Sequence, residues 1–248
     1  MKKSIFNWSG GKDSALGLYH CLNDKDIEIK YLLTTLSEEY KRISMHGVRK
    51  ELLQLQAENI GIELKEIYLP GLASLEMYNE VMKKAFDGFK EEGIEYSIFG
   101  DIFLEDLRKY REDKLAEVPM KGLFPLWKRP STEIVKEFIG LGFKTVIVCV
   151  NEKYLDKSFA GRVIDEDFLN DLPGNVDPCG ENGEFHTFVF DGPIFKKKID
   201  YELGKVVHRE YKAERGNIDD HGDDKKKQDT TFWYRDILVN PVRKFSTF

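Results

Sequence analysis

Apolar and polar positions fall into two rhythms along the first hundred residues. Short runs at 4–8, 27–36, 64–69 and 96–99 are dense in β-branched and aromatic side chains and read as strands. Between them, apolar residues recur at helical spacing. Leu16, Leu18 and Tyr19 mark a helix over 14–22, and Val48, Leu52, Leu55 and Asn59 mark one over 47–59. A third amphipathic stretch runs over 75–92. Gly61 and Gly93 are the stop signals. A charged helix is expected over 103–115 and another over 132–140. The run 143–150 (FKTVIVCV) is nearly all apolar, as a strand buried on both faces should be. Strands alternating with helices predict an α/β fold with a parallel sheet, whose ligands bind beyond the carboxyl ends of the strands. The loops of interest therefore follow Trp8, Leu36 and Phe99.

The rhythm breaks from about Lys121, where prolines interrupt the chain at 125, 130, 173, 178 and 193. A β-like segment returns at 185–190. A domain change is placed near Gly122, giving units 1–122 and 123–248. Residues 213–230 (AERGNIDDHGDDKKKQDT) are polar and charged throughout and are expected to form a mobile surface loop.

Composition narrows the class. The chain has 248 residues, 41% of them hydrophobic, enough for one large core or two small ones. The formal charge of -6 argues against a broad nucleic-acid footprint. Three cysteines, Cys21, Cys149 and Cys179, form no CxxC pair, so a disulfide framework or zinc ribbon is not expected and a reducing, cytoplasmic setting fits better. The first residues carry too short an apolar run for a signal peptide, and no stretch nears the roughly 18 apolar residues of a membrane span.

The chemistry concentrates in three places. Ser9–Gly10–Gly11–Lys12–Asp13–Ser14 lies between the first strand and the first helix. Two glycines let backbone N–H groups turn toward an anion, and the helix start adds its positive end. Lys12 supplies a full charge, Asp13 a carboxylate for a magnesium ion, and Ser9 and Ser14 hydroxyls. The spacing is neither GxxxxGK[ST] nor GxGxxG. It resembles the PP-loop of ATP pyrophosphatases. Its plain structural alternative is a Gly-rich turn that caps a helix.

Second, Gly100–Asp101 ends the fourth strand, with Arg108 and Arg111 on the following helix. An Asp N-cap before a solvated helix face explains the same residues. Third, residues 175–193 (NVDPCGENGEFHTFVFDGP) pack Asp177, Glu181, Glu184 and His186 among glycines and prolines. Glu181, Glu184 and His186 suit acid–base work or the orientation of an amine, while a tight turn before a hairpin is the structural alternative. His46 follows the second strand and either meets a ligand or merely precedes a helix.

In SGGKDS at 9–14, GDI at 100–102, PLW at 125–127 and DPCGENGEFHTFVFDGP at 177–193 the chain resembles the diphthine–ammonia ligase family of PP-loop ATP pyrophosphatases. Residues 42–49 (RISMHGVR) and the charged insertion at 213–228 look like the bacterial branch of that family. The resemblance implies an N-terminal Rossmann-like, HUP-type PP-loop domain with five parallel strands and a smaller α+β substrate domain. It implies ATP and Mg2+ as cofactors. A carboxylate, diphthine-like and either protein-borne or small, would be adenylylated and then attacked by ammonia, releasing AMP and pyrophosphate. The roles it implies are catalysis for Lys12, Asp13, Glu184 and His186, and nucleotide binding for Ser9, Gly10, Gly11, Lys12, Ser14, Gly100 and Asp101. Substrate binding would fall to His46, Arg108 and Glu181, and metal binding to Asp13 and Asp101. No membrane partner is expected, and a homodimer is an option. The residues alone also admit a PP-loop enzyme acting on tRNA or on another small carboxylate, and a non-catalytic ATP sensor. The absence of a basic face or cysteine pair counts against tRNA, and the dense 177–186 cluster counts against a sensor.

Overall fold

The first strand, β1 (Lys2–Asn7), buries consecutive residues, so both of its faces are covered. Ile5 joins a cluster with Met82, Phe86 and Phe89, whereas Phe6 joins a second cluster with Leu16 and Leu18. The same division recurs at Leu33 and Leu32 on β2 (Ile27–Ser37). Period-two burial on both sides is what a sheet sandwiched by helices requires. The computed structural model describes residues 1–43, 46–70, 74–211 and 230–240. The expected loop at 213–230 lies outside these residues except for Thr230.

Five parallel strands form this sheet in the order β3-β2-β1-β4-β5, with β3 at Glu63–Leu69, β4 at Tyr96–Ile98 and β5 at Lys121–Leu123. The helices that connect them are α1 (Lys12–Leu22), α2 (Lys50–Ile60), α3 (Leu75–Glu91) and α4 (Glu105–Ala116). Helix α2 stops at Gly61, which is left-handed. Helix α3 starts at Ser74, whose side chain accepts from the Met77 N–H. The chain moves from β1 outward to β2 and β3, then returns to β4 on the other side of β1. The topological switch point therefore lies between β1 and β4.

A second sheet is antiparallel, in the order β7-β6-β9-β8. Its strands are β6 (Lys144–Asn151), β7 (Phe185–Asp191), β8 (Tyr201–Tyr211) and β9 (Thr230–Val239). The apolar run at 143–150 is thus an antiparallel strand. Apart from Lys144 it is buried because α5 (Ser131–Gly140) and the segment 157–171 add Ile134, Val135, Phe138, Phe159, Ile164 and Phe168 to the same core. That segment holds a short 3-10 turn and α6 (Glu166–Asp171). The fifth parallel strand is instead β5, so the parallel sheet continues through Leu123. One hydrophobic cluster runs unbroken from Phe6 and Leu16 to Val148 and Phe188, joining the two sheets. Among the described residues, no helix is long and apolar enough to cross a membrane.

Candidate active site

The Gly-rich loop leaves β1 at its carboxyl end and becomes α1, with Gly11 at the N-cap. Gly10 has φ +77°, and a Cβ there would lie 2.6 Å from Gln56 Oε1, so only glycine fits without strain. Gln56 lies fully buried on α2. Its amide nitrogen donates to the carbonyls of Gly10 at 3.0 Å and Val189 at 2.6 Å, and its oxygen accepts from Trp8 Nε1 at 3.0 Å. Strand β7 closes the loop from the other side. The Val189 N–H donates to the Gly10 carbonyl at 2.9 Å, and the Lys12 N–H donates to Thr187 Oγ1 at 3.0 Å. Ser14 Oγ donates to the Gly11 carbonyl at 2.9 Å and lies 3.1 Å from Ser9 Oγ, so both hydroxyls sit inside the loop.

Lys12 is only 3% exposed. Its Nζ donates to Asp13 Oδ2 at 2.7 Å and to the Cys179 carbonyl. Burial works against the ammonium charge, but Asp13, Cys179 and Glu181 outweigh it and hold the group above the ordinary lysine value. Burial raises the Asp13 carboxyl, against the pull of Lys12. Asp13 Oδ1 is buried, and no hydrogen bond reaches it among the described residues.

All three sequence motifs meet at this loop. Gly100, just past β4, lies against the loop backbone, and a Cβ there would stand 3.1 Å from the Asp13 carbonyl carbon and the Ser14 nitrogen. Glu181 Oε1 accepts from the Ile102 N–H at 2.8 Å, tying the third motif to the second. Burial first, then the charges of Asp13 and Asp101, push the Glu181 carboxyl up to about 8. Asp177 Oδ1 accepts from the N–H groups of Cys179 and Glu181 and so shapes the turn.

Glu184 is placed differently from Glu181. It is 1% exposed, and its carboxylate accepts from the Asp177 N–H at 3.0 Å, the Asn182 N–H at 3.0 Å and the Asn182 side chain at 3.1 Å. The structure does not bring this carboxylate to the cleft, because the backbone of its own loop occupies it. Cys179 is buried as well. Burial pushes its thiol up and its Sγ donates to the Ser131 carbonyl at 3.4 Å, which leaves it a poor nucleophile.

His46 and His186 come together from 140 positions apart in the chain. Their rings stack with centroids 4.3 Å apart and planes 24° apart. Asp101 is held by Arg111, Nε to Oδ2 at 2.7 Å. Arg108 stands farther round, its guanidinium 4.6 Å from the ring centroids of both Phe124 and Trp127 and 2.9 Å from Glu112. Those contacts make Arg108 part of an aromatic stack rather than of the loop cluster.

Two participants escape sequence reasoning: Gln56 sits among polar neighbours on an amphipathic helix, and Thr187, although inside the motif at 177–193, carries no chemistry that singles it out. The only signal was that Gln56 falls on the helix row of Leu52 and Leu53, which are buried.

A parallel sheet with a Gly-rich loop at its switch point, met by an acidic loop from a second sheet, defines an α/β protein with a candidate anion-binding site. Models of the two diphthamide synthase domains match this chain, the N-terminal domain over residues 1–122 and the C-terminal domain over residues 130–222. The chain belongs to the diphthamide synthase family. Similar curated proteins are the diphthine–ammonia ligases of Danio rerio and Homo sapiens. The first is 25% identical over 224 residues, covering 80% of this chain and 86% of the relative. The second is 26% identical over 224 residues, covering 80% and 82%. Those names make the family one of carbon–nitrogen ligases. Among solved structures, the U34-tRNA thiolase NcsA from Methanococcus maripaludis with its [4Fe-4S] cluster is 22% identical. It covers 56% of this chain and 57% of that one at a TM-score of 0.35, too distant in shape to bear on the site.

Proposed function

We propose that the chain is an ATP-dependent amide-forming ligase that adenylylates a diphthine-like carboxylate and passes the acyl group to ammonia. The observation that carries this reading is the convergence of loops 9–14, 100–102 and 177–186 at the switch point. The names of the curated relatives supply the substrate class.

In this reading the turn through Gly10 and Gly11, with Ser9 and Ser14, cradles the triphosphate. Lys12 leaves the Cys179 carbonyl to meet the phosphates and offsets charge on the departing pyrophosphate. Asp13 Oδ1, buried and without a hydrogen bond among the described residues, would hold a Mg2+ ion. Such an ion would neutralise phosphate charge. Asp101 would help hold it only by parting from Arg111. The carboxylate oxygen attacks the α-phosphorus, and the bond to pyrophosphate breaks. Ammonia then attacks the acyl carbon, AMP leaves, and the nitrogen sheds a proton. Glu181, whose carboxyl lies near 8, is mostly protonated at neutral pH and takes that proton only in its ionised form, which grows as pH approaches 8. His46 and His186 flank the acceptor, and Glu184 keeps the loop in shape.

The test is turnover of ATP with ammonium and elongation factor 2 carrying diphthine, beside a panel of small carboxylates. Equal amounts of AMP, pyrophosphate and amide are expected with one of them. Release of ADP and phosphate, or ATP bound but never cleaved with any acceptor, would reject the reading.

A further inference from the structure

The loop that carries His46 is rooted in the main core by Ile43 and Val48, and polar groups set how it sits above them. Arg42 and Arg49 face each other in an isolated antiparallel bridge at its base. The Ile43 N–H donates to the Val48 carbonyl at 3.0 Å, and the Gly47 N–H donates to the Ile43 carbonyl at 3.1 Å. Two guanidiniums side by side repel each other, and one carboxylate joins them. Asp236 Oδ1 accepts from Arg42 Nη1 at 2.9 Å and from Arg49 Nε at 3.1 Å, while Oδ2 accepts from Arg49 Nη2 at 2.7 Å. Arg42 Nη1 also donates to the Gly47 carbonyl at 2.7 Å. Arg42 thereby ties Asp236 to the backbone next to His46.

The other half of the imidazole pair is fixed by the same sheet. His186 on β7 lies opposite Cys149 on β6, and Cys149 lies opposite Tyr234 on β9. Residues opposite each other in a ladder share a face, and so do residues two apart on one strand. His186, Tyr234 and Asp236 therefore look out from one side of the second sheet. Tyr234 sits under the hairpin, where a Cβ at Gly47 would meet its ring at 2.9 Å.

We propose that Asp236 is a positioning residue for the candidate site. Through Arg42 and Arg49 it sets the His46 hairpin at the depth where its imidazole stacks on His186. The sheet acts as a ruler with His186 at one mark and the Asp236 clamp at another. Asp236 lies beyond the segment matched by the C-terminal domain model, which ends at residue 222. The importance of the pair for turnover rests on the function proposed above, whereas the geometry does not.

Imidazole resonances of the full chain read the geometry directly. In the wild type the ring current of His46 should displace the His186 ring protons upfield, and His46→Ala should abolish that displacement. Asp236→Asn should remove most of it while the far-ultraviolet circular dichroism stays unchanged. Should D236N fail to fold, Arg49→Ala, which keeps the Arg42 bond, reads the same shift. A folded D236N or R49A protein with the His186 shift of the wild type overturns the proposal. Turnover with whichever acceptor supports AMP release gives a second reading. D236N should lower kcat/KM roughly tenfold alone and add nothing in the H46A background, since the two act through one path. Additive losses also overturn it. Full turnover by H46A, with the shift still lost in D236N, removes His46 from the function but leaves the clamp standing.

Discussion

The side-chain amide of Gln56 donates to the carbonyl of Gly10 at 3.0 Å, across 46 positions of sequence. Gly10 is the left-handed residue of the loop, and its carbonyl also accepts from Val189. Gln56 thus fixes the orientation of the peptide that precedes Gly11 and Lys12. Replacing it with leucine keeps the volume but deprives the Trp8 indole N–H, the Gly10 carbonyl and the Val189 carbonyl of a partner. One to three kcal/mol per buried group suggests a loss of about 3 kcal/mol, or roughly 6–12 °C in Tm. Differential scanning calorimetry measures it, and the increase in Tm on adding ATP should shrink as well. An unchanged Tm would show that Gln56 is dispensable.

Lys12→Met should stop pyrophosphate release and leave the fold intact, because the loop is built by Gln56, Thr187 and Val189 rather than by the ammonium. Pyrophosphate release assays and circular dichroism check both halves. Wild-type turnover in this variant would show that the phosphates do not depend on Lys12.

Glu181 should give the protein a stability that declines with pH. Its carboxyl is ordinarily near 4.5 and stands at about 8 in the fold. Between those values the unfolded chain has lost the proton and the folded chain keeps it, so ΔG of unfolding falls as pH rises and levels off above about 8. Urea titrations from pH 5 to 9 should show a downward slope in the wild type that is weaker in Glu181→Gln. A steeper slope in the variant would contradict the assignment.

Asp236 should act in the opposite direction. Burial disfavours its charge, but hydrogen bonds from Arg49 and Arg42 prevail and hold the carboxyl at about 2, below the ordinary 3.8. Its contribution is complete above about pH 4 and is lost as pH falls through 2. D236N should be less stable than the wild type by about 1 kcal/mol at neutral pH, the nominal shift being discounted for a partly open site. The gap should close on acidification. A gap that persists at pH 2 would mean that the asparagine fails for a reason other than charge.

The parallel sheet was legible because its central strands β1 and β2 are buried on both faces, so their apolar runs stand out between helical stretches. The candidate site was legible where chemistry is dense, at Ser9–Ser14 and 177–186. What escaped has physical causes. Strand β5 is three residues long, too short to show a period. Strand β8 runs along the sheet edge with most side chains exposed, so its sequence alternates little. Gln56 and Asp236 are polar residues whose partners are distant in sequence; only the row of Leu52 and Leu53 sets Gln56 apart, and nothing local marks Asp236. Glu184 shows the reverse. Its neighbours made it look chemical, and its burial shows a carboxylate spent on its own turn.

The bond from the Lys12 N–H to Thr187 spans 175 positions. The loop at 9–14 is therefore incomplete until β7 has been made and has folded against it. Until then the nascent chain carries an SGGKDS segment without its lid of β-structure. Any ligand of this loop therefore meets its finished form only when both sheets have come together.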